Sequence, residues 1–263
     1  MNKFTKKILL NVIKTTCNKR GRKCSKENSH YLDEIFTVLK TGKQWNQINN
    51  TLHSDTYYKK FIYWNKNNIF QTAYNLMITI LKNNKYINHQ STKELFTDTS
   101  MIKNIKGMDM LGKNHYDRFR NANKVSVIVT NNGIPLSIHI TAANIHDSKV
   151  FEPTLQNINF KLLGSNKYPK YMVADKGYNY ERIKECCKNN NLILVVPNKK
   201  NYKKQAIFNS YKKDILKKRH IVENFFAWLK NYKRIKNRYE KHIENYSSFV
   251  YFACINITMN KLY

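Results

Sequence analysis

Over the first third of the chain, apolar residues recur at helical spacing. Beyond residues 82–94, "KNNKYINHQSTKE", they fall instead into short strand-like runs. That change predicts a domain boundary, with a helical domain over 1–85 and a second domain over 93–263. In the first, "SHYLDEIFTVLKTG" reads as a helix with Ser29 as its cap and Gly42 just past its end; Leu32, Ile35, Phe36 and Leu39 share one face. "SDTYYKKFIYWNKNN" reads as another, capped by Ser54. It has Tyr57, Phe61 and Trp64 toward a core and Lys59, Lys60 and Lys66 free for phosphate. The spacing fits a helix-turn-helix unit and a plain helical bundle equally well.

In the second domain, "KELFTDTSMI", "KVSVIVT" and "PLSIHIT" read as strands, and "NNG" joins the last two as a hairpin turn. A helix, "DSKVFEPTLQNI", follows with Asp147 as its cap. Then come the strand "KYMVA", the helix "NYERIKECCKNNN" and the strand "LILVVP". The later strands are continuously apolar and each follows a helix of crossover length, so they are expected to be central or parallel and covered on both faces. "KRHIVENFFAWLKNYKRI" reads as one long amphipathic helix and "NYSSFVYFACINITMNK" as a more apolar one. Three antiparallel strands, then helix-separated parallel strands and closing helices, is the order of an α/β, ribonuclease H-like domain.

Composition narrows the partners. Lys and Arg number 47 against 17 Asp and Glu, a formal charge of +30 in 263 residues. Codon bias toward A and T explains part of the lysine but not the shortage of acids. A polyanion is therefore expected, nucleic acid ahead of an anionic membrane surface. No run approaches the ~20 apolar residues of a membrane span, and the start lacks a signal-peptide cleavage pattern. The expectation is an intracellular protein, in the cytoplasm or nucleoid, or in the nucleus of a eukaryotic host, and not a secreted one. Five cysteines, two of them adjacent at Cys186 and Cys187, form no disulfide framework. Cys17, Cys24 and His30 lack the spacing and the fourth ligand of a zinc site.

With acids so scarce, their placement matters. Asp98 lies in the first strand of the second domain, Asp175 directly after the fourth, and Glu223 on the penultimate helix. Strand ends gather on one edge of such a sheet, and a helix packs against it. Three converging carboxylates suit Mg²⁺ or Mn²⁺. Each acid alone also has an ordinary reading: a cap for Asp98, a turn acid before Gly177 for Asp175, a pair with Arg219 for Glu223. Arg219, Glu223 and Lys230 fall on one polar side of the predicted helix. Tyr178 is placed either to stack on DNA or to pack on the next helix.

From about Gly21 to the C-terminus the chain resembles the DDE transposases of bacterial insertion sequences, in the group of insertion sequences five and four. "LDEIFTVLKTGKQWNQI" with "YYKKFIYWNKNNIF" resembles their N-terminal DNA-binding region. "DTSMIK" and "VADKGY" resemble the two aspartate motifs, and "GKNHYDRFRNANKVSVIVTNNGIPLSIHITAANIHDS" the strand-and-turn signature between them. "KRHIVENFFAWLKNYKRIKNRYEK" resembles the glutamate helix. The resemblance implies Asp98, Asp175 and Glu223 as catalytic, metal-holding residues for Mg²⁺ or Mn²⁺, two ions. Arg219, Lys230, Lys176, Lys59 and Lys60 are the expected DNA contacts. It further implies cleavage at terminal inverted repeats, strand transfer into double-stranded target DNA, and a homodimer on paired ends. The tyrosine usual before the arginine is absent, with Leu216 in its place, and the chain between Pro197 and Arg219 is too short for a large insertion domain. Two rival readings share these residues: a nuclease that cuts without joining, and a DNA-binding relic.

Overall fold

The computed structural model describes residues 1–17, 27–48, 52–115, 117–159, 170–197 and 210–263. In chain order the helices of the first part are α1 (Lys3–Thr16), α2 (Asn28–Thr41), α3 (Ser54–Lys66), α4 (Ile69–Asn83) and α5 (His89–Thr92). Then come β1 (Glu94–Asn104), β2 (Gly112–Asn114), β3 (Arg120–Thr130), β4 (Pro135–Ala142), α6 (Asp147–Gln156), β5 (Lys170–Val173), α7 (Glu181–Asn189) and β6 (Leu192–Val195). The chain closes with α8 (Ser210–Lys217), α9 (His220–Lys230), α10 (Lys233–Lys236), β7 (Asn237–Arg238) and α11 (Ile243–Leu262). It divides into two compact units, neither of them one continuous stretch of sequence.

The first unit comprises Met1–Thr79, Ile102–Asp109 and Trp228–Tyr263. Helix α11 is buried nearly all round, as a helix without a polar face must be. Helices α1 and α3 pack on it, and the rings of Phe61 and Phe249 stack at 4.5 Å. Tyr57, Phe61 and Trp64 all turn into the core, as their spacing predicts. Gly42 ends α2 at φ 77°, a left-handed cap, while Glu27 precedes the helix where Ser29 was expected. His53, not Ser54, caps α3, its ring nitrogen accepting from the Asp55 amide. His30 is held by the Tyr57 hydroxyl at 2.9 Å, and Cys24 lies outside the described residues. Parallel pairing of β7 with Lys103 and Asn104 of β1 carries the fully buried Arg238. Its guanidinium donates to the carbonyls of Asp109, Glu240 and Lys241 and to the Asp109 carboxylate, while the Ile243 amide at the head of α11 donates to that same carboxylate.

The second unit comprises Ile80–Met101 and Met110–Ala227. Its sheet runs β2-β3-β1-β5-β6, with β4 hydrogen-bonded to β3. The hairpin β3–β4 is antiparallel, and β1, β5 and β6 are parallel to one another. Taken as β4-β3-β1-β5-β6, β1 is central and the two later strands extend the sheet on its far side. This is the ribonuclease H-like order. Gly133, at φ 71°, closes the hairpin at the turn that "NNG" marks.

Two local expectations change. Helix α6 starts at Asp147, but its cap is His146, whose ring nitrogen accepts from the Ser148 amide; Asp147 points elsewhere. The predicted long helix over 218–235 begins only at His220 and is broken at Asn231 and Tyr232, which separate α9 from α10. Ahead of it, between α8 and α9, the ladder tightens to i→i−3 bonds, from Lys218 to Ile215 and from Arg219 to Leu216. Arg219 therefore sits in a turn and not along a helix face.

Candidate active site

Strand register brings the first two acids together. Leu95 pairs with Met172 and Phe96 with Val173. Two residues beyond the last pair stand Asp98 and Asp175, so they leave neighbouring parallel strands at matched positions, with about 4.8 Å between strands. The strand alternation also turns both to the same face. Asp98 accepts from the Thr99 amide at 2.8 Å. Asp175 accepts from the Lys176 amide at 2.7 Å and caps a short 3-10 turn, Lys176–Tyr178.

Arg219 ties the third acid to them. Its Nη1 lies 3.3 Å from Asp175 Oδ1 and its Nη2 3.8 Å from Glu223 Oε1. The turn that carries Arg219 is anchored on β1 by the buried Glu94, which accepts from Lys218 Nζ at 2.9 Å and from the Tyr211 hydroxyl at 3.1 Å. Burial pushes the Asp98 carboxyl above the ordinary range; the Thr99 amide and Arg219 oppose the rise, and the charges of Asp147 and Asp175 add to it.

Behind Asp98 lies a polar layer that the sequence reading did not identify. Lys124, buried on β3, donates to the Ile145 carbonyl and to Asp147 Oδ1, each at 2.6 Å. The Thr99 hydroxyl donates to the same Asp147 oxygen at 3.0 Å. Asp147 is thus occupied by a lysine and a threonine rather than by the end of its helix. Of the two readings of Tyr178, packing holds over stacking on DNA, though against the preceding helix and not the next: it is 2% exposed and packs edge-on against Phe151 of α6. Burial first, and then the charges of Asp147 and Asp98, push its phenol well above the usual tyrosine range. It stays neutral.

Of the remaining predicted contacts two are exposed and two half-buried. Lys176 is exposed beside Asp175. In the first unit Lys59 is exposed on α3 and lines a groove of about 580 Å³ with Lys66, Tyr58 and Asn65. Lys60 is half-buried over the Tyr31 and Trp64 rings. Lys230, at the end of α9, is half-buried, which lowers its amine below the usual lysine value.

Residues 97–257 match the family described as transposase DDE domain. The chain belongs to this family. It is a DDE transposase, and DNA is its substrate. A curated Burkholderia cepacia protein assigned as transposase for insertion sequence element IS402 is 26% identical over 160 residues, 59% of this chain and 72% of that protein. Among solved structures, the piggyBac transposase synaptic complex with hairpin DNA aligns with 96% of this chain and 70% of its own, at 9% identity and TM-score 0.45. The catalytic domain of Mos1 mariner transposase aligns with 73% and 87%, at 8% identity and TM-score 0.30.

The family implies a divalent metal, and the donors at this site fit one. Three carboxylates supply the hard oxygen ligands that such ions take, and a guanidinium already stands among them as a cation. Their spacing is open. Among the described residues, one group of three has ligand atoms all within 4.8 Å of one another, and it is Asp109, His242 and Glu244 of the first unit. There Asp109 is already committed to Arg238 and to the α11 amide, and His242 and Glu244 are exposed, so the trio reads as a helix cap. No described helix is long and apolar enough to cross a membrane.

Proposed function

We propose that this transposase cleaves DNA at the terminal inverted repeats of a mobile element and joins the resulting 3′-hydroxyl to target DNA. Asp98, Asp175 and Glu223 are the catalytic acids in this reading, and they hold two Mg²⁺ or Mn²⁺ ions. The observation that carries it is the matched register of Asp98 and Asp175 on adjacent strands, with Arg219 linking Glu223 to them. Bound divalent ions supply activation of the attacking oxygen and stabilisation of the leaving one.

The chain's own residues do the rest. Asp98, midway along β1, accepts from the Thr99 amide, while Asp175 caps a short 3-10 turn and Glu223 stands in the first turn of α9. Lys176 and Arg219 hold phosphates flanking the scissile bond, and Lys230 continues that contact. Lys59 and Lys60, in the helical region up to residue 85, contact DNA phosphates as well. Two copies of the chain act on paired ends. A metal-bound acid cluster no longer repels the backbone, so a site of carboxylates and a chain of charge +30 serve one substrate.

The test is an oligonucleotide carrying the element's own end, incubated with purified protein, Mg²⁺ or Mn²⁺ and a target plasmid. Cleavage that leaves a 3′-hydroxyl, followed by joining to plasmid, is expected; Asp98→Asn, Asp175→Asn and Glu223→Gln each abolish both while DNA binding persists. Cleavage without joining would establish the nuclease reading. Full activity in any of the three variants would remove that acid from the site.

A further inference from the structure

Two of the acids are bridged by a cation of the chain's own. Arg219 reaches Asp175 with one Nη and Glu223 with the other, at 3.3 and 3.8 Å. Its Nε is buried and makes no hydrogen bond, so the guanidinium's engagement with these acids runs through its outer nitrogens. The side chain is only 23% exposed, whereas Asp175 and Glu223 are 45% and 57% exposed. The arginine therefore comes from inside the fold to two acids that face outward. Because it stands in the turn between α8 and α9, which Glu94 pins to β1, its position is set by the fold and not by the carboxylates alone.

We propose that Arg219 is a displaceable place-holder: its guanidinium must release Asp175 and Glu223 before they can hold a divalent ion, and once released it is available to a DNA phosphate beside the site. This rests on the reading of Asp98, Asp175 and Glu223 as the ligand set. The physical reason is competition. A guanidinium and a divalent cation cannot share the same carboxylate oxygens without mutual repulsion across a few ångströms. A guanidinium freed from a carboxylate keeps the planar fork that fits a phosphate equally well. Arg219 thereby couples metal loading to DNA engagement, each favouring the other.

The experiment measures Mn²⁺ binding to the full-length, DNA-free protein from the electron paramagnetic resonance signal of free Mn²⁺. Arg219→Gln is expected to bind about five- to twentyfold more tightly than the native chain. Lys176→Gln removes the same charge beside Asp175 but no bridge, and should change affinity less than about twofold. Arg219→Lys, whose ammonium can engage one acid at a time, should fall between, and it carries the test if the glutamine variant does not fold. Affinity that is unchanged or weaker in the Arg219 variants overturns the proposal. So does a Lys176→Gln effect equal to that of Arg219→Gln, because loss of charge alone would then account for both. Asp175→Asn separates this failure from failure of the ligand set: if it leaves Mn²⁺ binding intact, the acid assignment itself falls. For the phosphate arm, Arg219→Gln should lower the log–log salt slope of DNA-end binding by about 0.9 with Mn²⁺ present and not without it. An equal loss in both conditions overturns the hand-over.

Discussion

Replacing Lys124 by Met removes one buried ammonium and keeps most of its aliphatic stem, so the perturbation is nearly pure charge and hydrogen bonding. Two charge-assisted bonds of 2.6 Å are lost, to the Ile145 carbonyl and to Asp147. Removing one partner of a fully buried pair costs about 3–5 kcal/mol, because the other charge is stranded. Lys124 is 5% exposed but Asp147 is 38% exposed, so water can recover part of the aspartate's loss. The expected cost is therefore about 2–3 kcal/mol, or a fall in melting temperature of roughly 5–10 °C for a unit of this size. Urea unfolding followed by tyrosine and tryptophan fluorescence gives the free energy. The cycle with Asp147→Asn then gives the pair term, expected at about 1–2 kcal/mol. A loss below about 1 kcal/mol together with zero coupling would refute the claim that this pair is a buried support behind Asp98.

Asp98→Asn should raise the melting temperature of the metal-free protein at neutral pH. Its folded-state proton affinity is above the ordinary carboxylate value, so the native chain loses stability as pH rises from about 3.9 through the higher folded value. The advantage of the variant should close near pH 3–4, and a lower melting temperature at pH 7 would contradict it. Lys59→Ala should weaken DNA binding evenly across sequences and lower the salt slope by about 1; an unchanged slope would take Lys59 off the phosphates. Gly107→Ala should destabilise the first unit by about 1–3 kcal/mol in urea titration. The added methyl would stand 2.5 Å from Asn104 Oδ1 and 2.6 Å from the Nε of buried Arg238, and full native stability would show that this packing can give way.

The strands that build the sheet were legible because each is a run of apolar residues bounded by turn residues. Unbroken apolarity marked β5 and β6 as central or parallel; they are parallel, but β6 is the edge of the sheet and exposes Ile193, so it is not covered on both faces. Strands β2 and β7, of three and two residues, carry no period and could not be read. Caps shifted by one residue at Ser54 and Asp147, because a histidine stands just before each and its ring nitrogen accepts from the amide two residues on, of Asp55 and Ser148. The break between α9 and α10 was hidden, since "KRHIVENFFAWLKNYKRI" has helical periodicity throughout and the interruption at Asn231 and Tyr232 is a tightened turn without Gly or Pro. In the candidate site the three acids are proposed from chain order. Their supports were not legible: Glu94 and Lys124 look like ordinary strand-end charges until pairing brings Lys218 to one and Asp147 to the other. One clue was available, since in a chain with 17 acids and 47 bases an acid at the head of a buried strand is costly unless it holds something.

The central claim is that Asp98, Asp175 and Glu223 hold the metal at which DNA is cut. A change of metal preference tests it most directly: Asp175→Cys, assayed for cleavage of the element end in Mg²⁺ and then in Mn²⁺. A thiolate is a poor ligand for Mg²⁺ and a better one for the softer ion. The account predicts cleavage abolished in Mg²⁺ and substantially restored in Mn²⁺, beyond any gain Mn²⁺ gives the native chain. Cleavage at the native rate in Mg²⁺ would contradict it.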